Sequence, residues 1–237
     1  MVYALTIGDL PDWLPISGGI VVVVAALLIA GFILERRRRE ALTALALEIG
    51  FQYLGKDWGN EAPQLEAPLF RKGRNREFRN IMAGSASGFR AYLFDYQYVT
   101  GGGRSSQTHF QTVASFTKSG VVMPEFELQP EGVLQKIGDA FVHKDIDFDS
   151  HPEFSRRMQL RSPDEAKTRE LFSPGLLSYL EGLDPAKKWR MEGIGSTLLL
   201  YRGGKRVKPA EFKAFLAEAS TIASQFFGFA GARKTPI

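Results

Sequence analysis

Residues His143 to Phe154 read HKDIDFDSHPEF and concentrate the side-chain types that bind metals. His143, Asp145, Asp147, Asp149 and His151 occupy alternate positions. In an extended strand they would line one face, with Ile146 and Phe148 on the other. A file of carboxylates and imidazoles can hold a hard cation such as Mg²⁺, Mn²⁺ or Ca²⁺, and a metal-dependent hydrolase could be built on Asp145, Asp147 and Asp149. An EF-hand loop opens in the same way, but here Ser150 stands where its turn glycine belongs and Arg156 where its closing glutamate belongs. The sequence favours a structural use instead: a strand with an acidic solvent face. Ser150, Pro152 and Glu153 would form a capping turn, and Arg156 and Arg157 would neutralise the carboxylates. No metal, cofactor or catalytic residue is expected.

Other reactive constellations are incomplete. His109 with Ser105, Ser106 and Asp95 has the ingredients of a hydrolase triad, but the chain has no Gly-x-Ser-x-Gly elbow, and a strand His opposite a strand Asp reads as a cross-strand pair. Two loops, Gly101–Ser106 and Gly203–Arg206, could cradle a phosphate or serve a ligand sensor. Neither has the Gly-Lys-Ser/Thr ending that leads a P-loop into a helix, and hairpin connections explain the glycines. The chain has no cysteine, which excludes disulfides, thiolate nucleophiles and Cys-ligated zinc.

The elements that would position these residues alternate irregularly. Ile81–Ala83, Phe89–Thr100 and Thr108–Thr117 read as strands, the last two forming a hairpin around the Gly-rich loop. Along Phe89–Thr100, Tyr92, Phe94, Tyr96 and Tyr98 share one face. They could stack bases, but packing under a C-terminal helix is the expected use. Residues 55–79 read as loop with at most one short element. Pro130–Ala140 reads as a short helix and Ser155–Arg161 as a strand. Ser162 and Ser173, each followed by proline, cap two further helices. Trp189–Ile194 and Thr197–Arg202 form a second hairpin. From Pro209 a long amphipathic helix carries Phe212, Phe215, Leu216, Ala219, Ile222, Ala223 and Phe226 on one stripe. The order predicts an α+β fold with a largely antiparallel sheet packed against helices.

Ile16–Leu34 contains nineteen uncharged residues, about enough to cross a ~30 Å hydrocarbon core as a helix. Arg36–Arg39 follow directly, and no Lys or Arg precedes the stretch. The positive-inside rule then keeps the arginines in the cytoplasm. The expected organisation is an external N-terminus over 1–15, a transmembrane helix over 16–34 and a juxtamembrane helix over 35–50 stopped by Gly50. A cytoplasmic α+β domain over 51–227 and a flexible tail over 228–237 complete it. The formal net charge is +4 without a dense basic stripe, so nucleic acid is not an expected partner. The expected partners are the lipid bilayer and another membrane or cytoplasmic protein.

Phe94-Asp95-Tyr96-x-Tyr98, the Gly-rich loop, Gln111-Thr112-Val113 and Asp145 through Arg157 resemble an uncharacterised family of bacterial single-pass membrane-anchored proteins. The resemblance covers most of the chain after the apolar segment. It implies a bacterial source and a cytoplasmic-membrane location, and brings no activity or site residue with it. The expected function is a non-enzymatic binding or envelope-organising module; the metal-dependent hydrolase and the ligand sensor are its rivals.

Overall fold

A computed structural model describes residues 13–58, 66–132 and 145–232, with side chains described from Ile20 to Gly231. The chain divides into two compact units, Met1–Ala44 and Leu45–Ile237. Helix α1 (Trp13–Glu48) is continuous and runs from the apolar segment into the juxtamembrane one. Ile20 to Leu34 is apolar on all sides, and its large side chains are exposed, from 43% at Ile33 to 70% at Leu28. Among the described residues, no helix is long and apolar enough to cross a membrane. Gly50, with φ of 72°, takes the left-handed turn after α1 that its position predicts.

The second unit is α+β, built on one eight-stranded sheet. Its strands are β1 (Gln52–Gly55), β2 (Arg74–Ala86), β3 (Phe89–Thr100), β4 (Gln107–Thr117), β5 (Met123–Pro130), β6 (Met158–Arg161), β7 (Trp189–Gly195) and β8 (Thr197–Arg202). They lie in the order β1-β2-β3-β4-β8-β7-β5-β6, and every neighbouring pair is antiparallel. The helices are α2 (Pro68–Arg71), α3 (Pro152–Arg157), α4 (Glu165–Leu171), α5 (Pro174–Glu181) and α6 (Phe212–Ala232).

Strand alternation divides the core between the two sheet faces. Odd-numbered β3 residues such as Phe89 face α6, where Phe89 meets Phe227 at 4.8 Å between ring centres. Further along α6, Phe226 stacks on Phe126 at 5.6 Å and Phe215 on Trp189 at 5.3 Å. The aromatic file Tyr92, Phe94, Tyr96, Tyr98 is fully buried as expected, but on the face opposite α6. It packs instead with Phe70 of α2, with Phe78 of β2 and with Trp58, which lies 5.0 Å from Phe94. The register explains the correction, since an apolar odd-numbered set, Phe89, Ala91 and Leu93, already serves the helix side.

Several boundaries differ from those the residues suggest. Residues 55–79 contain α2 and the start of β2. Ser155–Arg157 belong to α3, and the strand begins at Met158. Asp164, not Ser162, caps α4 by accepting from the Lys167 amide; the Ser162 hydroxyl donates to the Glu125 carbonyl of β5 at 2.6 Å. α6 continues through the expected tail to Ala232 because Phe226, Phe227 and Ala230 are buried. The helix expected over Pro130–Ala140 falls, beyond 132, outside the described residues.

Both sheet edges are short. β1 pairs only with Ile81–Ala83 of the thirteen-residue β2. Below that contact, β2 is broken by irregularities between Arg74 and Glu77 and between Arg79 and Met82. Asn75 and Asn80 take positive φ there.

Phe215, 1% exposed, anchors α6 on the sheet. Phe215→Ala is expected to cost about 3–5 kcal/mol, the range for truncating a buried Phe. Urea unfolding followed by circular dichroism checks this; an unchanged midpoint would mean that α6 does not pack by this face.

Candidate functional site

The acidic motif does not form a ligand file. Asp145 to Phe148 run as irregular chain beside β6, with the Ile146 amide bonded to the Leu160 carbonyl at 2.8 Å. Ile146 and Phe148 are buried as the alternation predicts. The Asp145 carboxylate accepts from Arg161 Nε at 2.7 Å and from Gln159 Nε2 at 2.8 Å. Asp147 and Asp149 are exposed, and His151 contacts the Ser150 and Ser178 hydroxyls. His143 lies outside the described residues. Among the described residues no three His, Asp or Glu side chains are grouped to hold a metal ion. The arginines expected to neutralise the motif act elsewhere: Arg156 pairs with Glu153, and Arg157 donates to the Glu181 and Leu183 carbonyls at 3.0 Å.

The triad ingredients also separate. Asp95 sits on the α6 face and accepts from Asn80 at 2.9 Å and Thr112 at 2.7 Å. His109 lies on the other face, directly opposite Tyr98 and stacked on its ring at 4.8 Å. Its Nε2 is 2.7 Å from the Thr100 hydroxyl. The Gly101–Ser106 loop is held by Arg74, which donates to the Gly101 carbonyl and to Ser106 Oγ.

The structure instead brings together charged residues that the sequence does not connect. Glu127 of β5 stands directly opposite Glu192 of β7 on the tyrosine face, and both are buried. Two carboxylates at that spacing repel. Lys72, at the C-terminal end of α2, places its ammonium on Glu127 and 3.9 Å from Glu192. Glu192 Oε1 accepts the Tyr201 hydroxyl at 2.6 Å, and Oε2 accepts the Leu69 amide at 2.7 Å. That amide is one of the N–H groups a four-residue helix leaves without an internal partner.

Burial pushes the Glu192 carboxyl up to about 7, with Lys72 opposing and Glu127 adding to the rise. Burial works against the charged form of Lys72, but Glu192 and Glu127 outweigh it and hold the ammonium above its ordinary value. The one available sequence signal is a charged residue at a core position of an apolar strand, as Glu192 in Trp-Arg-Met-Glu-Gly-Ile-Gly. It does not reveal the partner.

A separate open cleft of about 330 Å³ lies between α3, α5 and the ends of β5–β7. Met158, Leu180, Leu183, Trp189 and Met191 supply apolar lining, and Arg157 lies beside them. A cleft of this size and character can take a small amphipathic ligand.

No protein-family model and no curated protein matches the chain. The fold resembles the crystal structure of the mycobacterial trehalose monomycolate transport factor A, TtfA, with a TM-score of 0.54 and 13% sequence identity. The likeness covers 85% of this chain and 96% of that one. At that identity it establishes a shared fold.

Two predictions follow from the geometry. The folded Glu192 pKa lies above its unfolded value near 4.5. Its contribution to stability is therefore full below pH 4.5 and is lost as pH rises through about 7, up to about 3 kcal/mol in all. Glu192→Gln should flatten that part of the stability–pH curve; a curve as steep as wild type would refute the assignment. Lys72→Met should cost about 3–5 kcal/mol at pH 8 by leaving the carboxylates uncompensated, and less at pH 5.

At the acidic motif, Asp147→Asn should alter stability by no more than about 0.5 kcal/mol. Asp145→Asn should cost up to about 1 kcal/mol through Arg161. Millimolar Mg²⁺, Mn²⁺ or Ca²⁺ should leave the melting temperature unchanged; a rise abolished by Asp145→Asn would restore the metal reading.

Proposed function

We propose that the chain is a membrane-anchored, non-enzymatic binding module, tethered by α1 with its α+β unit in the cytoplasm. The observation that carries this reading is the apolar surface of α1 from Ile20 to Leu34, exposed around the whole helix. A helix apolar all round requires an apolar environment. The described apolar stretch, Ile20–Leu34, is by itself too short to span, but counted from Ile16 the uncharged run has nineteen residues and a helical length of about 28 Å, close to the thickness of a bilayer core. Arg36–Arg39 then mark the cytoplasmic side. The resemblance of the acidic motif to bacterial membrane-anchored proteins supports the same location.

The cleft beside Trp189 and Leu180 supplies the α+β unit with a binding feature. The fold neighbour is named a transport factor. Its likeness concerns fold alone and assigns no cargo. The bilayer is one partner in this reading, and a membrane or cytoplasmic protein is a second.

The anchor is tested by fractionation and by topology. The full chain should sediment with membranes and resist carbonate extraction, whereas a chain lacking residues 1–40 should be released. A reporter enzyme active only in the periplasm, fused after Ile237, should be silent. Strong reporter activity would reverse the orientation, and carbonate-soluble full-length protein would exclude the anchor.

A further inference from the structure

Lys72 satisfies two buried carboxylates, but a second buried cation on the same sheet face has no such partner among the described residues. Arg190 of β7 is 7% exposed and stands opposite Tyr201 in the β7–β8 ladder. No hydrogen bond or ion pair joins its guanidinium to a described residue. Glu192, two residues along the same face, is occupied by Lys72, Tyr201 and the Leu69 amide. None of its nitrogens is among the fully enclosed, unpartnered polar atoms, so the guanidinium keeps a solvent-facing side at which an anion can reach it.

The surroundings of Arg190 offer donors. A β-carbon at Gly203 would fall 2.3 Å from Arg190 Cζ and 2.5 Å from Nε, so the guanidinium lies against the bare backbone where the Gly203–Arg206 loop begins. That loop is fixed to β4: the Thr112 amide donates to the Lys205 carbonyl, and the Val207 amide to Thr112 Oγ1 at 2.9 Å. The β4–β8 ladder ends at the Val113–Tyr201 pair, and beyond it the Thr112–Lys205 bond sets the loop beside this end of β4, where Gln111 follows Val113 on the same face. Gln111 is 1% exposed, and its Nε2 has no hydrogen-bond acceptor.

His109 is the next residue of β4 on this face. Burial first, and then the Arg190 charge, hold its pKa below the usual histidine range. His109 Nε2 shares a hydrogen bond with the Thr100 hydroxyl; in the tautomer whose Nε2 accepts, Nδ1 carries a proton it can donate. At the loop, Lys205 is exposed and adds positive charge.

We propose that Arg190, Gln111 and His109, beneath the Gly203–Arg206 loop, form a site for a phosphate group. A guanidinium fork, an amide N–H and an imidazole N–H from two strands suit an oxyanion with several acceptor oxygens. The site is separate from α1, and its success or failure leaves the anchoring reading untouched.

The test is thermal unfolding of the full chain in detergent, titrated with inorganic phosphate and with glycerol 3-phosphate against chloride at matched ionic strength. Wild type should show a saturable rise in melting temperature below 10 mM, roughly the increase that mass action gives for a site with millimolar affinity. Arg190→Met should lose the response. Because it removes an unpaired buried charge, it should melt no lower than wild type in phosphate-free buffer. Gly203→Ala, which drives a methyl into the guanidinium, should also weaken the response.

A response to both ligands marks a phosphate monoester site such as a lipid headgroup would fill. A response to inorganic phosphate alone marks a site for the free ion. An equal rise in wild type and Arg190→Met, or no rise in wild type, would overturn the proposal, as would a marked destabilisation of Arg190→Met in phosphate-free buffer.

Discussion

The ammonium of Lys72 sits between two carboxylates that the sheet register forces together, and the closure of one whole sheet face depends on it. β5 and β7 place Glu127 directly opposite Glu192, an arrangement that would push the strands apart without a cation. Lys72 reaches that position only because α2 lies across the sheet. Glu192 holds α2 in return by accepting the Leu69 amide. The same helix carries Phe70 onto Tyr96 and Phe78, so an electrostatic need and an apolar one are met by a single four-residue element. After Lys72 the chain turns through Gly73 at φ of 63°, where a β-carbon would strike the Val99 carbonyl at 2.4 Å. Only glycine makes that exit without strain and a backbone clash.

The two faces of the sheet are consequently unlike. The α6 face is closed by a long amphipathic helix and aromatic stacking, with its apolar contacts spread along a helix of 21 residues. The tyrosine face is closed by a short helix and a few polar contacts of fixed geometry. Arg190 lies on that second face, with Gln111 and the Gly203 loop beside it. The cleft beside Trp189 opens away from it, among α3 and α5.

Local periodicity made α6 and the two hairpins legible. The stripe from Phe212 to Phe226 predicts α6, and the alternation from Phe89 to Thr100 predicts a strand with a buried aromatic face. Which layer that face meets was not legible, because period-two alternation assigns residues to sides without naming what lies above each side. The start of β2 was hidden by Arg74, Asn75 and Arg76, polar residues that suit an exposed strand end as well as a loop. The acidic motif misled because its alternation is real but belongs to irregular chain: Ile146 and Phe148 are inward, while the aspartates turn to Arg161 or to solvent. Lys72, Glu127 and Glu192 are far apart in sequence and carry no common motif, so only the fold reveals them as one group.

The short, broken margins of the sheet would matter for a domain that the proposed anchor concentrates on a surface. Two-dimensional confinement raises the encounter frequency of identical molecules, and an open strand is then a template for polymerisation. β2 is long enough to be such a template, yet the half that β1 does not cover carries Arg74, Arg76, Glu77 and Arg79 and is kinked at Asn75 and Asn80. At the opposite margin β6 is four residues long, and the Ile146 amide already occupies the Leu160 carbonyl. Neighbouring copies crowded side by side would meet charge and curvature at these margins, which favours their remaining separate molecules over fusing into a continuous β-ribbon.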